Sequence, residues 1–357
     1  MKKNLLKLLF ITAILLLGAC DDMENKASPE NPITDSRLFV LCEGLANWNN
    51  STLAMIENGA ITPDFFTSEN KRGLGDTAND IKRYGNKIYI VVSGSSTIEV
   101  IDYHTGKSQK QISLLDEKNL ARQPRYITFY EENAYVCSFD GTVARIDTAS
   151  LKVTGTVLCG RNPDGICVAR QKLYVSNSGG LDFPGYDNTV SVIDLESFTE
   201  LKKIETGINP STIMADSRDN VYVVSRGNYG TNPYMFQKIN TETDVVEQTF
   251  DEIQALNFTI HNDTAYLYNY DYSQKSFWIK TFDCNSGVII SENFITDDTE
   301  ITTPYSITIN PTNGDVYVTD AKGYIIKGDV FCFDRNGKKK FVISEIGINP
   351  NKVIFVD

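Results

Sequence analysis

The sequence predicts an all-β fold: a seven-bladed β-propeller closed by pairing the C-terminal strand with the N-terminal blade. Three observations predict it. A short aromatic-aliphatic phrase occurs seven times, as Leu38-Phe39-Val40, Ile88-Tyr89-Ile90, Ala134-Tyr135-Val136, Leu173-Tyr174-Val175, Val221-Tyr222-Val223, Ala265-Tyr266-Leu267 and Val316-Tyr317-Val318. Successive copies start about 39 to 51 residues apart, the period of propeller blades. A second phrase follows each copy, as Ile56-Glu57, Ile101-Asp102, Ile146-Asp147, Ile193-Asp194, Ile239-Asn240, Phe282-Asp283 and Phe333-Asp334. A third precedes most copies, as in Pro124-Arg125-Tyr126-Ile127, Pro163-Asp164-Gly165-Ile166, Pro210-Ser211-Thr212-Ile213, Pro304-Tyr305-Ser306-Ile307 and Pro350-Asn351-Lys352-Val353. Ala78-Asn79-Asp80-Ile81 and Asn257-Phe258-Thr259-Ile260 hold the same register without the proline.

In chain order, residues 1–19 read as a lipoprotein signal peptide. Lys2, Lys3 and Lys7 form a basic region, and Leu8 to Leu17 is an apolar run too short for a finished membrane span. The run ends in Leu17-Gly18-Ala19-Cys20, which is similar to a bacterial lipobox with Cys20 as the lipidated residue. Each buried CH₂ of an acyl chain contributes roughly 0.8 kcal/mol, so a multiply acylated Cys20 holds the membrane firmly. Residues 20–36 then form a polar tether with little apolar surface to offset the cost of ordering. Asp21, Asp22 and Glu24 resemble the signal that sends Bacteroidetes lipoproteins to the outer face of the outer membrane.

The propeller occupies residues 37–357. Each repeat reads as four strands: A from the Pro-x-x-Ile phrase, B from Tyr-Val, C ending at Ile-Asp, and D after the next turn. Proline opens strand A because its missing donor lies outside the ladder. The Asp after strand C can bond its own backbone as an Asx turn, as in Asp102-Tyr103-His104-Thr105-Gly106. The chain starts with a B strand and ends with an A strand, so blade 1 combines residues 350–356 with 37–67. The other blades fall at 76–115, 123–158, 163–205, 210–250, 255–295 and 304–343. No window of 12 or more residues after Cys20 shows helical periodicity.

The formal charge is −12, and loss of the three leader lysines takes it from −12 to −15. That surface excludes nucleic acid and polyanions as partners. Six cysteines remain after Cys20, with no C-x-x-C pair, and buried free thiols are the expectation for a large β domain.

In a propeller the D–A and B–C connections share one face. Here the B–C segments are long and rich in aromatics and amides. They carry Asn47 and Trp48, then Asn177, Tyr186 and Asn188, then Arg226, Tyr229 and Tyr234, then Tyr268 and Tyr270, and finally Tyr324. Such loops suit a large flat ligand that is stacked on its faces and hydrogen-bonded at its polar edge. The residues after the strand-A proline form a ring at the channel mouth: Asn79, Arg125, Asp164, Ser211, Phe258, Tyr305 and Asn351. No catalytic group is expected. His104 and His261 are the only histidines and fall in turns on the other face, and no nucleophile triad or phosphate loop is available. Glu43, Asp80 and Asp164 near the channel are expected to bond loops, with Ca²⁺ binding as in propeller lactonases the alternative.

The stretch Cys42-Glu43-Gly44, then Asn49-Asn50-Ser51-Thr52-Leu53, then Arg72-Gly73-Leu74-Gly75-Asp76-Thr77-Ala78-Asn79-Asp80 resembles the opening of a Bacteroidetes family of lipoprotein propellers related to YncE. The first motif departs from the family's usual Asn-Glu-Gly. The resemblance implies non-enzymatic capture of cobalamin at the cell surface. It also implies delivery to a BtuB-type TonB-dependent outer-membrane transporter by a protein held at the membrane through lipidated Cys20, with no cofactor and a monomeric state apart from the transporter. Corrin faces would stack on Trp48, Tyr186, Tyr229, Tyr234, Tyr268 and Tyr270. With no histidine on that face, cobalt is expected to keep its own base. A haem, siderophore or glycan ligand and a Ca²⁺-dependent hydrolase are the alternatives.

Overall fold

The computed structural model describes residues 37–356. The leader, Cys20, the tether and Asp357 lie outside the described residues. Seven four-stranded antiparallel sheets form, as the repeats require. Blade 1 contains β1 (Arg37–Cys42), β2 (Thr52–Glu57) and β3 (Ala60–Thr62), and α1 (Phe65–Asn70) follows. Blade 2 is β4 to β7 (Ala78–Tyr84, Lys87–Val92, Thr97–Asp102, Ser108–Ser113) and blade 3 is β8 to β11 (Pro124–Tyr130, Asn133–Ser138, Thr142–Asp147, Lys152–Leu158). Blade 4 is β12 to β15 (Pro163–Ala169, Lys172–Asn177, Thr189–Asp194, Thr199–Glu205) and blade 5 is β16 to β19 (Pro210–Ala215, Val221–Ser225, Met235–Asn240, Val245–Thr249). Blade 6 is β20 to β23 (Asn257–His261, Thr264–Asp271, Ser276–Asp283, Val288–Ser291) and blade 7 is β24 to β27 (Pro304–Ile309, Val316–Asp320, Lys327–Phe333, Lys339–Ile348). The last strand, β28 (Pro350–Val356), pairs with β1 and completes blade 1, the expected closure.

The A strands stand at the axis. β28 touches β4, β4 touches β8, and the contacts continue through β12, β16, β20 and β24 back to β28. The D strands form the rim, and most of β7, β11 and β15 is exposed. Between these extremes every residue of β17 and β25 is buried.

The repeated Tyr-Val phrase explains the packing. Side chains alternate along a strand, so one strand feeds both neighbouring seams. In β5, Ile88, Ile90 and Val92 pack toward blade 1. Tyr89 and Val91 pack toward blade 3. The same alternation sends Phe39, Tyr135, Tyr174 and Tyr222 into the seam with the following blade. The result is seven apolar clusters, one per seam. Two of these tyrosines also reach across with their hydroxyls. Tyr174 donates to Asp244 Oδ1 at 2.5 Å, and Tyr222 donates to the Cys284 carbonyl at 3.0 Å. Each acceptor lies in the C–D turn of the next blade.

One element was not expected. The six-residue α1 is too short to show helical periodicity in sequence. Asp64 caps it by accepting from the Thr67 amide, and Phe65 and Phe66 bury its face in the seam of blades 1 and 2. Gly106, at φ +69°, lets the Phe65 ring lie flat on the turn, where a Cβ would sit 2.1 Å from Cε1. The six cysteines are all free.

Tyr222 is fully buried. Tyr222→Ala is expected to lower stability by about 3–5 kcal/mol, read as a reduced denaturant midpoint with an unchanged slope. Tyr222→Phe removes only one hydrogen bond and is expected to cost about 1 kcal/mol.

Candidate functional site

The mouth of the axis is built by a backbone device at the head of the A strands. In blades 1 to 5 the residue before strand A is left-handed: Asn349, Thr77, Gln123, Asn162 and Asn209, with φ between +45° and +60°. Asn tolerates this region better than most residues. The carbonyl of each accepts from the first residue of the B–C loop, and Glu43, Ser93, Phe139, Ser178 and Arg226 donate at 2.9–3.1 Å. Blade 7 keeps this bond, from the Ala321 amide to the Thr303 carbonyl at 2.9 Å, without the left-handed residue.

Immediately afterwards the ladder slips. The pairing register shifts across Asn351, Asn79, Arg125, Asp164, Ser211 and Tyr305. Each is released from the ladder as a β-bulge, which re-aims its side chain. Six of the seven residues expected in the ring are therefore bulge residues. Blade 6 has no shift, and Asn257 pairs directly with Tyr268.

The bulged residues and their neighbours close a circuit of hydrogen bonds around the axis. The Asn351 amide donates to the Ala78 and Asn79 carbonyls at 3.0 and 3.1 Å. Asn79 donates to the Arg125 carbonyl at 2.6 Å, and Arg125 Nε donates to Asp164 Oδ1 at 2.9 Å. The Ser176 hydroxyl donates to the Ser211 carbonyl. Thr212 donates to Asn257 Oδ1 at 2.6 Å. The Tyr268 hydroxyl donates to the Tyr305 carbonyl, and Tyr305 donates to Glu43 Oε2 at 2.5 Å. Every blade is thus tied to the next.

Inside this circuit lies a cavity of about 400 Å³. Ten of the sixteen residues expected at the site line it: Asn79, Arg125, Asp164, Arg226, Tyr229, Tyr234, Tyr268, Tyr305, Tyr324 and Asn351. Six do not. Trp48 is 71 % exposed on the blade 1 loop, beside Asn47. Tyr186 stands outside Tyr229, edge-on with ring centroids 6.1 Å apart. Asn188 is exposed on the blade 4 loop. Tyr270 packs edge-on against Tyr272 at 4.8 Å. Asn177 is fully buried and its amide is spent on structure, accepting from Gly160 and donating to Thr189 and Ser191. Ser211 is likewise buried and off the cavity wall, and Phe258 lines it.

Several lining residues were not anticipated. Tyr126, Thr212, Thr259, Ser306 and Lys352 directly follow the ring position on their strands, and Lys82 and Met214 lie deeper. A signal existed: the phrase's Ile faces a seam, so the residues beside it face the axis.

The two sides of the mouth differ. Blades 5 to 7 supply a tyrosine wall of Tyr229, Tyr234, Tyr268, Tyr272, Tyr305 and Tyr324. Tyr272 and Tyr324 share a hydrogen bond at 2.8 Å, and Tyr229 and Tyr272 keep 62 % and 58 % of their surface exposed. Arg125 and Asp164 come from blades 3 and 4, and Arg226 reaches toward Asp164 from blade 5, the wall's own side. The Arg125 guanidinium lies 4.4 Å from the Phe139 ring centroid, and Arg226 Nη1 is 3.9 Å from Asp164.

Burial opposes the charge on Arg125, but Asp164 outweighs it and holds the guanidinium more firmly charged than usual. Burial, then nearby Asp164, pushes the Tyr126 hydroxyl up to about 12. Burial likewise raises Tyr268, Tyr305 and Tyr324, so these three hydroxyls stay neutral at ordinary pH. Burial also raises the Glu43 carboxyl above its usual 4.5, although its bond from Tyr305 and the charge of Arg125 pull the other way.

The three carboxylates considered for Ca²⁺ are each engaged. Glu43 accepts from Tyr305, Asp164 holds Arg125, and Asp80 lies 3.3 Å from Lys352 Nζ. Among the described residues no group of three His, Cys, Asp or Glu side chains is placed to hold a metal. No described helix is long and apolar enough to cross a membrane.

Residues 37–349 match the model of a protein family described as Domain of unknown function (DUF5074). No curated protein matches the chain. Solved structures share the fold at low identity. A quinoprotein alcohol dehydrogenase-like protein from Bacteroides thetaiotaomicron VPI-5482 superposes with a TM-score of 0.62 at 16% identity, covering 90% of this chain and 78% of that one. Hydrazine synthase from Kuenenia stuttgartiensis gives 0.57 at 14%, covering 71% and 74%. The computationally designed Ika8 protein gives 0.54 at 12%, covering 76% and 87%.

Glu43 gives a pH test. Its raised carboxyl keeps a proton in the folded state where the unfolded chain has lost it. Its stabilising contribution is therefore complete below 4.5 and is lost as pH rises through the folded value. Glu43→Gln removes that loss while keeping an acceptor for Tyr305. The melting temperature of the variant relative to wild type is expected to rise from pH 4 to pH 7. A constant difference would show that Glu43 titrates normally.

Proposed function

The chain belongs to the DUF5074 family, and from that premise we propose that it captures cobalamin without chemical conversion and passes it to a BtuB-type TonB-dependent outer-membrane transporter. In this reading it is a surface lipoprotein of the BtuG kind, held by Cys20.

One observation carries the reading. A wall of tyrosines from three adjacent blades faces a cluster of arginine, carboxylate and amide groups across one rigid mouth. Stacking surface on one side and fixed polar groups on the other suit a ligand with flat faces and a polar edge. A corrin ring with peripheral amides has that form. The cavity of about 400 Å³ admits only part of so large a molecule. The remainder rests on the exposed rim, where Trp48, Phe183 and Tyr186 offer further aromatic surface. The hydrogen-bonded circuit fixes the mouth before the ligand arrives, which limits the ordering cost of binding.

The engaged carboxylates favour capture over a Ca²⁺-dependent hydrolase, because a cation would have to displace Arg125, Lys352 or the Tyr305 hydroxyl.

Calorimetry of residues 37–357 with cyanocobalamin tests the reading, and one-to-one binding is expected. Arg125→Ala and Tyr229→Ala are each expected to weaken it by about 1–3 kcal/mol. Absence of heat with cyanocobalamin, together with binding of a haem, siderophore or glycan, would replace the ligand while keeping the site. Calcium-dependent turnover of a lactone would replace the reading altogether.

A further inference from the structure

We propose that the floor of the axial cavity is an oxyanion subsite, built by Lys82 and Lys352, that takes a phosphate or carboxylate carried by the captured ligand. The inference rests on the capture reading and names the chemistry at the cavity's inner end.

The cavity is cationic within an acidic protein. Its lining holds Lys82, Arg125, Arg226 and Lys352 against the carboxylates of Glu43 and Asp164 only, while the whole chain carries −12. The anionic groups are already engaged. Asp164 is bound by Arg125 at 2.9 Å and approached by Arg226 at 3.9 Å. Glu43 accepts from Tyr305. Asp80 Oδ2 accepts from the Ile127 amide at 3.2 Å, and its other oxygen faces Lys352 at 3.3 Å.

Lys82 has no direct partner. It lines the cavity as the fifth residue of β4, makes no hydrogen bond or ion pair with any described residue, and has the charge of nearby Asp80 as its main electrostatic support. Its ammonium has three donors and no acceptor capacity. Lys352 pairs with one carboxylate, Asp80, at 3.3 Å and retains further donors. Arg226 Nε is a buried donor without a hydrogen-bond partner, whereas the buried oxygens left without one, Asp80 Oδ1 and Asn351 Oδ1, are acceptors. A buried donor without a partner is costly unless something accepts from it. Burial lowers the Lys82 ammonium's affinity for its proton, and an incoming anion restores it. An oxyanion on the floor gives Lys82 the direct partner that Asp80 does not supply and balances the remaining positive charge. Apolar or cationic ligand ends are disfavoured there. In cobalamin the group of this class is the phosphodiester of the nucleotide tail.

The test uses residues 37–357 and inorganic phosphate, with citrate as the carboxylate arm, followed by intrinsic tyrosine and tryptophan fluorescence. Saturable binding of one or both is expected, and which one binds identifies the oxyanion. Lys82→Met should weaken it by about tenfold or more. Lys82→Arg should restore most of it, and both variants should melt at the wild-type temperature. Lys82→Met should also weaken cyanocobalamin and leave a cobinamide, which lacks the phosphodiester, unchanged. Phosphate or citrate binding without cyanocobalamin binding keeps the subsite and removes the cobalamin reading. Cyanocobalamin binding unaffected by Lys82→Met, with neither anion bound, overturns the subsite and keeps capture. A folded Lys82→Met that still binds the anions at wild-type affinity overturns it as well.

Discussion

The mouth of this propeller depends on one constraint repeated around the axis: a backbone that turns left-handed and then slips by a residue at the head of the inner strand. The left-handed residue aims a carbonyl at the B–C loop, as Asn162 does for Ser178. The slip frees the next side chain from the pleat, as Asp164 is freed. Without the slip, that side chain would face a seam and compete with packed aliphatics. With it, the chain presents a polar group over the axis without breaking the apolar seam below. Linking these groups into a circuit converts seven separate sheets into one rigid rim.

Each inner strand divides its side chains between seam and axis. Ile81, Ile127, Ile166, Ile213 and Ile307 point back into the seams and are buried. Their neighbours on either side face the axis and vary freely: Lys82, Tyr126, Gly165, Thr212, Ser306. Ile166, Ile213 and Ile307 also form part of the cavity wall, so the seams supply apolar surface there while the neighbouring positions set the polar chemistry. Blade 6 departs from the pattern. It lacks the slip, and its β21–β22 ladder continues to the pairing of Asp271 with Ser276. That longer hairpin carries Tyr268, Tyr270 and Tyr272 toward the mouth side and accounts for much of the tyrosine wall.

The blades were legible in the sequence because each seam needs an aromatic at a fixed strand position, and the Tyr-Val phrase states it seven times. Blade 4 was read at its observed limits of 163 and 205, and the others fell within a few residues apart from the short rim strand of blade 1 and the long β27. The ring at the mouth was legible because the proline marks the strand's first residue. Loop residues were harder. Trp48 and Asn177 sit in segments of similar length and composition, yet one projects into solvent and the other is locked in the structure. Loop conformation follows from long-range contacts such as Gly160 to Asn177, which no local pattern reveals. Lys82 and Lys352 carry no local signal for a different reason: both lie inside strand phrases, and their inward direction follows from their place next to the buried Ile81 and Val353.

The closure strand also fixes a direction. β1 ends at Cys42, next to the cavity residue Glu43, and begins at Arg37, whose guanidinium donates to the Tyr103 and His104 carbonyls in a turn on the far face. β1 therefore crosses the depth of the disc, and its ladder with β28 serves both faces at once. Loss of that pairing would release the Glu43 side of the mouth and the Arg37 clamp on the far face together.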